Sequence, residues 1–202
     1  LKKKKLYQTA PITFVACSQW LGRMAQSSAL LEGQTVTSIP NPINTNLFRP
    51  QPKANARQKL RLPQHTPLIL FGSVKVKDKR KGLPYLVEAC KIIADTYPDL
   101  KDTLGVVVLG HQSAYLEKLI PFRVYPLNFV SDEHQLVDIY NAVDLYVTPS
   151  LEDNLPNTIM EAMACGVPCV GFNVGGIPEM IDPLHNGYVA QYKLANDLAN
   201  GI

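Results

Sequence analysis

From residue 67 onward the chain alternates short, continuous apolar runs with segments of helical periodicity. That alternation restricts the fold more than any other feature of the sequence. The runs are Leu68-Ile69-Leu70-Phe71-Gly72-Ser73, Gly105-Val106-Val107-Val108-Leu109-Gly110, Leu145-Tyr146-Val147 and Pro168 to Phe172, and Val124 to Val130 reads as a further strand. A run that is apolar at every position has no solvent face, so each reads as a strand covered on both sides, as in a parallel sheet. The intervening stretches are amphipathic. Leu83 to Tyr97 puts Leu83, Leu86, Val87, Cys90 and Ile93 or Ala94 on one face, and Asp132 to Ala142 turns Leu136, Ile139, Tyr140 and Val143 inward. A shorter helix is expected over Gln112 to Ile120, and a hairpin-like or edge element over Asn186 to Ala190. About six βα units in succession give an α/β chain with a doubly wound parallel sheet.

Residues before 67 follow a different pattern. Ile12 to Cys17 reads as a strand, Ser18 as the cap of a helix reaching about Leu31, and Val36 to Ile39 as a second strand. The Pro-rich stretch Pro40 to Pro52 reads as a linker. At 202 residues and 46% hydrophobic content, the chain suits one domain with an appendage. It opens Leu1-Lys2-Lys3-Lys4-Lys5-Leu6 with neither a Met nor an apolar signal core, and is therefore read as a piece of a longer protein. Those lysines are either a solvated end or a contact for anionic lipid. No run approaches the ~18 apolar residues of a membrane span.

Charge and cysteine usage narrow the classes. The net charge is only +3, but every Lys and Arg except Lys193 lies at or before Arg123. Such asymmetry suits a nucleic-acid or membrane surface, or a site with cations on one wall and hydroxyl-binding carboxylates on the other. The cations form short clusters without interleaved aromatics, which disfavours nucleic acid. Cys17, Cys90, Cys165 and Cys169 lie in apolar elements without a Cys-x-x-Cys pair and read as reduced core thiols of a cytosolic protein. The four His are scattered and give no zinc spacing.

The chemistry-bearing stretch runs from Pro149 to Gly166. A polar turn, Leu151-Glu152-Asp153-Asn154, follows the strand at Leu145. Then comes a segment that starts with Pro156 and stops at Gly166, the punctuation of a short helix. Ile159, Met160, Ala162, Met163, Ala164 and Cys165 are apolar nearly all round, so this helix is expected to be buried. Glu161 is the one charged residue between Asn154 and Pro178. A carboxylate there is costly unless bound, either by protein groups in the core or by a ligand. Asp153 stands at the helix entrance, where it serves capping or a site. Helix entrances at the carboxyl ends of strands are where open α/β sheets bind ligands, and they favour anions.

Further along, Lys75 to Lys81 carries five cations in seven residues between a strand end and a helix. Lys75 and Lys77 suit a solvated loop, and Arg80 and Lys81 suit a diphosphate. Asn173-Val174-Gly175-Gly176-Ile177-Pro178-Glu179 either forms a tight turn or lets backbone approach a ligand.

Asp153, seven residues, then Glu161, with Leu155-Pro156 inside and Glu161-Ala162-Met163-Ala164-Cys165-Gly166-Val167-Pro168 following, resembles the donor-site signature of retaining family 4 glycosyltransferases of GT-B fold. The family usually has Glu at the first position. Here it is Asp153, with Glu152 adjacent. The Glu152-Asp153-Asn154-Leu155-Pro156-Asn157 variant resembles a branch associated with bacterial surface polysaccharide synthesis. Ser18, Pro40-Asn41, Lys81-Gly82 and the Gly175-Gly176 segment match family positions in the right order.

The resemblance implies a Rossmann-like sheet that is the C-terminal half of a GT-B enzyme. Residues 1–50 would be the tail of an acceptor-binding domain plus linker, and residues 51–202 a donor-binding domain truncated at its end. It implies transfer of a sugar, with retention, from a UDP- or GDP-sugar to a lipid-linked or saccharide hydroxyl acceptor held by the missing domain. The enzyme would work in the cytoplasm, at or away from the inner face of the membrane. Glu161 would hold ribose hydroxyls, Asp153 sugar hydroxyls, and Lys81 the diphosphate. The family Arg falls on Ser73, and Arg80 is the candidate to replace it. Gly72, Ser73, Phe129, Val130, Asn154 and Leu155 would approach the nucleotide. There is no Asp-x-Asp for a metal on the diphosphate, so no metal or other cofactor is expected, and fixed electrostatics would stabilise the leaving group. The fragment alone is expected to bind donor weakly and transfer nothing. A non-catalytic nucleotide-sugar module is the alternative. A dinucleotide oxidoreductase would need a Gly-x-Gly-x-x-Gly turn that Phe71-Gly72-Ser73-Val74 lacks.

Overall fold

The computed structural model describes residues 2–10 and 12–202; Leu1 and Pro11 lie outside the described residues. The chain begins with helix α1 (Lys2–Thr9), strand β1 (Thr13–Ala16), helix α2 (Gln19–Gln26) and strand β2 (Thr35–Ser38). β1 and β2 pair in parallel, Thr13 opposite Thr35. Ser18 caps α2 as expected, its Oγ accepting from Leu21 N at 3.0 Å. The helix stops at Gln26, well short of Leu31. Ser27 and Ser28 follow, residues whose side chains compete for backbone groups, and the Ser28 hydroxyl accepts from Leu30 N. A left-handed Gly33 (φ +79°) then turns the chain into β2.

After the linker come α3 (Lys53–Lys59), β3 (Leu68–Lys75), α4 (Leu83–Thr96), α5 (Leu100–Thr103), β4 (Gly105–His111), β5 (Arg123–Leu127), α6 (Glu133–Ala142), β6 (Leu145–Thr148), α7 (Asn157–Ala164), β7 (Cys169–Phe172), β8 (Gly187–Ala190) and α8 (Ala195–Gly201). Six strands form one sheet in the order β5-β4-β3-β6-β7-β8, with every pairing parallel. Growth runs outward from β3 to one edge and then, through α6, restarts on its other side at β6. The connections therefore diverge between β3 and β6, and a crevice opens at the carboxyl ends of the strands there.

The continuous apolar runs do what two-sided burial requires. In β3, Ile69 and Phe71 pack in one core with Leu86, Cys90 and Ile93 of α4 and Leu198 of α8. Leu68 and Leu70 enter the other, with Ile139 and Tyr140 of α6 and Ile159 of α7. Successive side chains on opposite faces make one strand serve both layers. β5 is one of the two edge strands, which is why it tolerates Pro126. It ends at Leu127, just before the polar Asn128 and three residues before the expected strand end at Val130. The 112–120 segment is a 3-10 turn (Ser113–Lys118), and β8 is a parallel edge strand, not part of a hairpin. Cys90, Cys165 and Cys169 are buried free thiols; burial pushes Cys90 and Cys169 up to about 12 and Cys165 up to about 11. Cys17 is half-buried, outside either core.

Asp144, immediately before β6, fastens α3 to the sheet. It accepts from the buried Arg57 guanidinium at 2.7 Å and from Leu68 N at 2.7 Å, and pairs with Lys53. Among the described residues, no helix is long and apolar enough to cross a membrane.

Candidate functional site

The basic loop after β3 is held against the Pro149–Asn154 turn by two contacts. Asp78 caps a 3-10 turn over Lys79–Lys81, accepting from Arg80 N at 3.0 Å. Gly82 then takes φ +66°, and a Cβ there would lie 1.8 Å from the Pro149 carbonyl oxygen, so only glycine permits the approach. Leu151 N also donates to the Arg80 carbonyl at 2.7 Å. The result brings the Lys81 ammonium to 2.7 Å from Asp153 Oδ2, with both side chains largely shielded.

The Asp153-Asn154 turn is gripped from its other side by the paired glycines. A Cβ on Gly175 would meet the Asp153 carbonyl oxygen at 1.6 Å, and Gly176 N donates to the Asn154 carbonyl at 2.7 Å. The close approach these glycines allow is thus to another loop of the same chain. Asn154 faces the N-terminal elements. Its Oδ1 accepts from the Ser18 hydroxyl at 2.5 Å and its Nδ2 donates to Cys17 Sγ. Glu179 completes the junction, accepting from Gln19 N and Trp20 N at the start of α2 at 2.7 and 2.6 Å.

A cavity of about 250 Å³ opens at the carboxyl ends of β3 and β4. Gly72, Ser73, Lys81, Phe129, Val130 and Glu161, all singled out in the sequence, line it together. Phe129 stacks on His111 at 5.1 Å. Asp153 reaches the cavity through its ion pair with Lys81, whereas Glu152 is exposed. Arg80, Asn154 and Leu155 do not line it. Arg80 is two-thirds exposed and turned onto Asp78, 2.9 Å away; this pairing raises its pKa and lowers that of Asp78. Asn154 is committed to Ser18 and Cys17, and Leu155 is buried.

α7 is less buried than its apolar sequence suggests. Ile159 and Ala162 face the core, while Met160, Met163 and Ala164 are half-buried, because the side bearing Asn157, Met160 and Glu161 borders a second depression beside the linker residues Pro42 to Phe48. Glu161 Oε2 accepts from the Tyr140 hydroxyl at 2.7 Å. Burial raises the Glu161 pKa, the Tyr140 hydrogen bond lowers it, and the Glu133 charge raises it; the net shift is upward. One turn earlier on the same helix, Thr158 accepts from the Tyr146 hydroxyl at 2.9 Å. Tyr140, Tyr146 and Thr158 line the cavity and were not singled out as site residues. A sequence marks such tyrosines only as core; where the phenol goes depends on packing. A larger groove, about 530 Å³, opens at the opposite ends of the strands between Tyr97, Leu100, Leu104 and Ile202, but no cation among the described residues lines it.

Comparison with known proteins places this architecture. Residues 66–202 match the family described as Glycosyl transferases group 1. The chain belongs to that family. It is 30% identical over 156 residues to a D-inositol 3-phosphate glycosyltransferase of Thermobispora bispora, covering 71% of this chain and 36% of the relative. Its structure is similar to that of sucrose-phosphate synthase from Thermosynechococcus elongatus (TM-score 0.79, 24% identity, 98% of this chain and 50% of that one). It is also similar to Anabaena HepE, solved in complex with UDP-glucose (TM-score 0.69, 22% identity, 92% and 51%). The fold is thus that of one half of the GT-B glycosyltransferases of group 1. The chain spans about a third of the curated relative and about half of each solved protein. The group 1 match includes every cavity-lining residue and begins after the linker.

Proposed function

We propose that this chain is the donor-binding part of a retaining glycosyltransferase that moves a sugar from a nucleoside-diphosphate sugar to a hydroxyl acceptor. The observation that carries the reading is the cavity itself. At the carboxyl ends of a doubly wound sheet, it sets a lysine and a half-buried carboxylate into one space lined by Phe129, Val130 and Leu109. A nucleoside diphosphate needs those three things: a cation for phosphate, an acceptor for ribose hydroxyls and an apolar slot for the base. Lys81 would meet the diphosphate, Glu161 the ribose, and Gly72-Ser73 and Phe129-Val130 the nucleotide backbone and base. Asp153, on the far side of Lys81, would take sugar hydroxyls. The UDP-glucose complex of Anabaena HepE, which shares this fold, supports a uridine donor.

In the transition state the anomeric carbon gains oxocarbenium character and negative charge grows on the leaving diphosphate. Lys81, fixed by Asp153 and by the Gly82–Pro149 contact, supplies positive charge where it develops. Arg80, one residue before it, is the second cation available if it exchanges Asp78 for phosphate. Residues 1–50 are read as the end of an acceptor-binding domain and its linker. The Glu152–Asn157 sequence supports a role in surface polysaccharide synthesis, with the enzyme in the cytoplasm and the α1 lysines near the inner membrane face.

Calorimetric titration with UDP, GDP and ADP, each beside its sugar conjugates, tests the proposal. Saturable binding of one nucleotide family, abolished by Glu161→Ala, is expected. A folded chain that binds none of them, or binds equally well without Glu161, contradicts it.

A further inference from the structure

Glu161 carries the ribose reading above, yet nothing in that reading explains why a half-buried carboxylate, without an ion-pair partner among the described residues, points one way. The answer lies on the neighbouring helix. We propose that Tyr140 is a positioning residue. Its phenol holds the Glu161 carboxylate turned so that Oε1 is left for the hydroxyls of a bound nucleotide. The proposal rests on the reading of Glu161 as the ribose acceptor.

Four observations support it. The Tyr140 ring is 2% exposed and wedged edge-on between Phe48 and Tyr146, with centroids at 6.4 and 6.1 Å, so the hydroxyl cannot swing away. Burial, with the nearby Tyr146 and Glu161, pushes the Tyr140 pKa well above the usual phenol value, so the group stays protonated and must donate. Its one proton goes to Oε2 at 2.7 Å, while Oε1 has no protein donor among the described residues. Tyr146 cannot substitute, because its own proton is committed to Thr158. Two phenols, from α6 and β6, thus hold two residues three apart on one face of α7, and only the first meets an ionisable partner.

The charges around Glu161 leave this role to Tyr140. From α6 it faces Tyr140 and Glu133, and Glu133 opposes its ionisation. β6 offers Tyr146 and the end of α7 offers Cys165, both held neutral by burial. The basic loop contributes Lys81, already paired with Asp153. The linker side, Pro42 to Phe48, has no titratable group. Against burial and Glu133, the Tyr140 hydroxyl is the group that lowers the Glu161 pKa.

Two measurements on Tyr140→Phe test this: the side-chain carboxyl 13C titration of Glu161, and UDP affinity followed from mildly acid to mildly alkaline pH, beside Glu161→Gln. Phe fills the same space, so the fold should persist. The Glu161 midpoint should move to higher pH. UDP affinity should drop about tenfold at the acid end, the loss of one charge-assisted hydrogen bond, and recover toward wild type at the alkaline end. An unmoved midpoint, or a loss of affinity uniform with pH, overturns the proposal and leaves Tyr140 a packing residue. If Glu161→Gln binds UDP as tightly as wild type, the ribose reading itself fails. If Gln weakens binding while Phe keeps the wild-type pH profile, only the role of Tyr140 fails.

Discussion

The Lys81 ammonium lies 2.7 Å from the Asp153 carboxylate, bridging two loops that are 72 residues apart in the sequence. The pair orients Lys81 toward the cavity and at the same time competes for it. On the proposed function, a diphosphate takes over part of what Asp153 now receives.

That competition separates the two residues experimentally. Lys81→Ala should weaken UDP binding by about tenfold or more, the worth of a charge-assisted contact to phosphate. Asp153→Asn should do the reverse with UDP alone, strengthening it by up to about fivefold as a partly exposed ion pair is released. With the UDP-sugar it should remove the sugar's contribution. Titration of both variants with both ligands checks the crossing pattern.

Gly82 connects this chemistry to the backbone. Because a Cβ would strike the Pro149 carbonyl, Gly82→Ala must push the basic loop away from the strand end. We expect a lower Tm and a loss of UDP affinity similar to that of Lys81→Ala, although residue 82 offers no side chain to the ligand. A variant with wild-type Tm and affinity would show that the loop is not held there.

The junction centred on α2 is a separate device. Glu179 accepts two amides at the start of that helix, and Ser18 caps it while donating to Asn154. Glu179→Gln replaces charged acceptors by a neutral one and should cost about 1–2 kcal/mol in denaturant unfolding. Amide exchange should quicken at Gln19 and Trp20 while the β3 and β4 amides keep their protection.

Acid stability should depend on Asp144. Burial raises its pKa, but hydrogen bonds from Lys53 and Leu68 N and the charges of Lys53 and Arg57 outweigh this, and the net shift is downward. A depressed carboxyl contributes stability that is present above its unfolded pKa and is lost as pH falls through the folded value. Asp144→Asn should therefore destabilise the chain near neutrality by about 2–3 kcal/mol, chiefly because the buried Arg57 loses its counter-charge. The deficit should shrink toward acid pH. Urea unfolding at several pH values measures it.

What the sequence revealed, and what it hid, divides along physical lines. Strands whose every residue is apolar announce themselves, so the doubly wound sheet could be read directly; that Gly72, Ser73, Lys81, Phe129, Val130 and Glu161 share one cavity followed from the family resemblance rather than from the strands. Boundaries set by local competition could not be read that way. α2 stops at Gln26, well before Leu31, and β5 leaves the ladder at Leu127, short of the expected end at Val130. Side-chain destinations were harder still. Arg80 and Lys81 are adjacent cations in one basic loop, but the cap at Asp78 captures one and the turn at Gly82 delivers the other to the cavity. Tyr140 read as an inward core residue, which it is; that its hydroxyl meets Glu161 depends on how α6 packs against α7.

The central claim is that the cavity at the carboxyl ends of β3 and β4 holds a nucleoside diphosphate. The most direct test is the map of backbone amide shifts when UDP is added to the isotope-labelled chain. The account predicts that saturable shifts concentrate at Gly72, Ser73, Lys81, Val130 and Glu161. Leu100, Leu104 and Ile202, around the larger groove at the other end of the sheet, should stay in place. Shifts confined to that other groove, or none at saturating UDP in a folded chain, would contradict it.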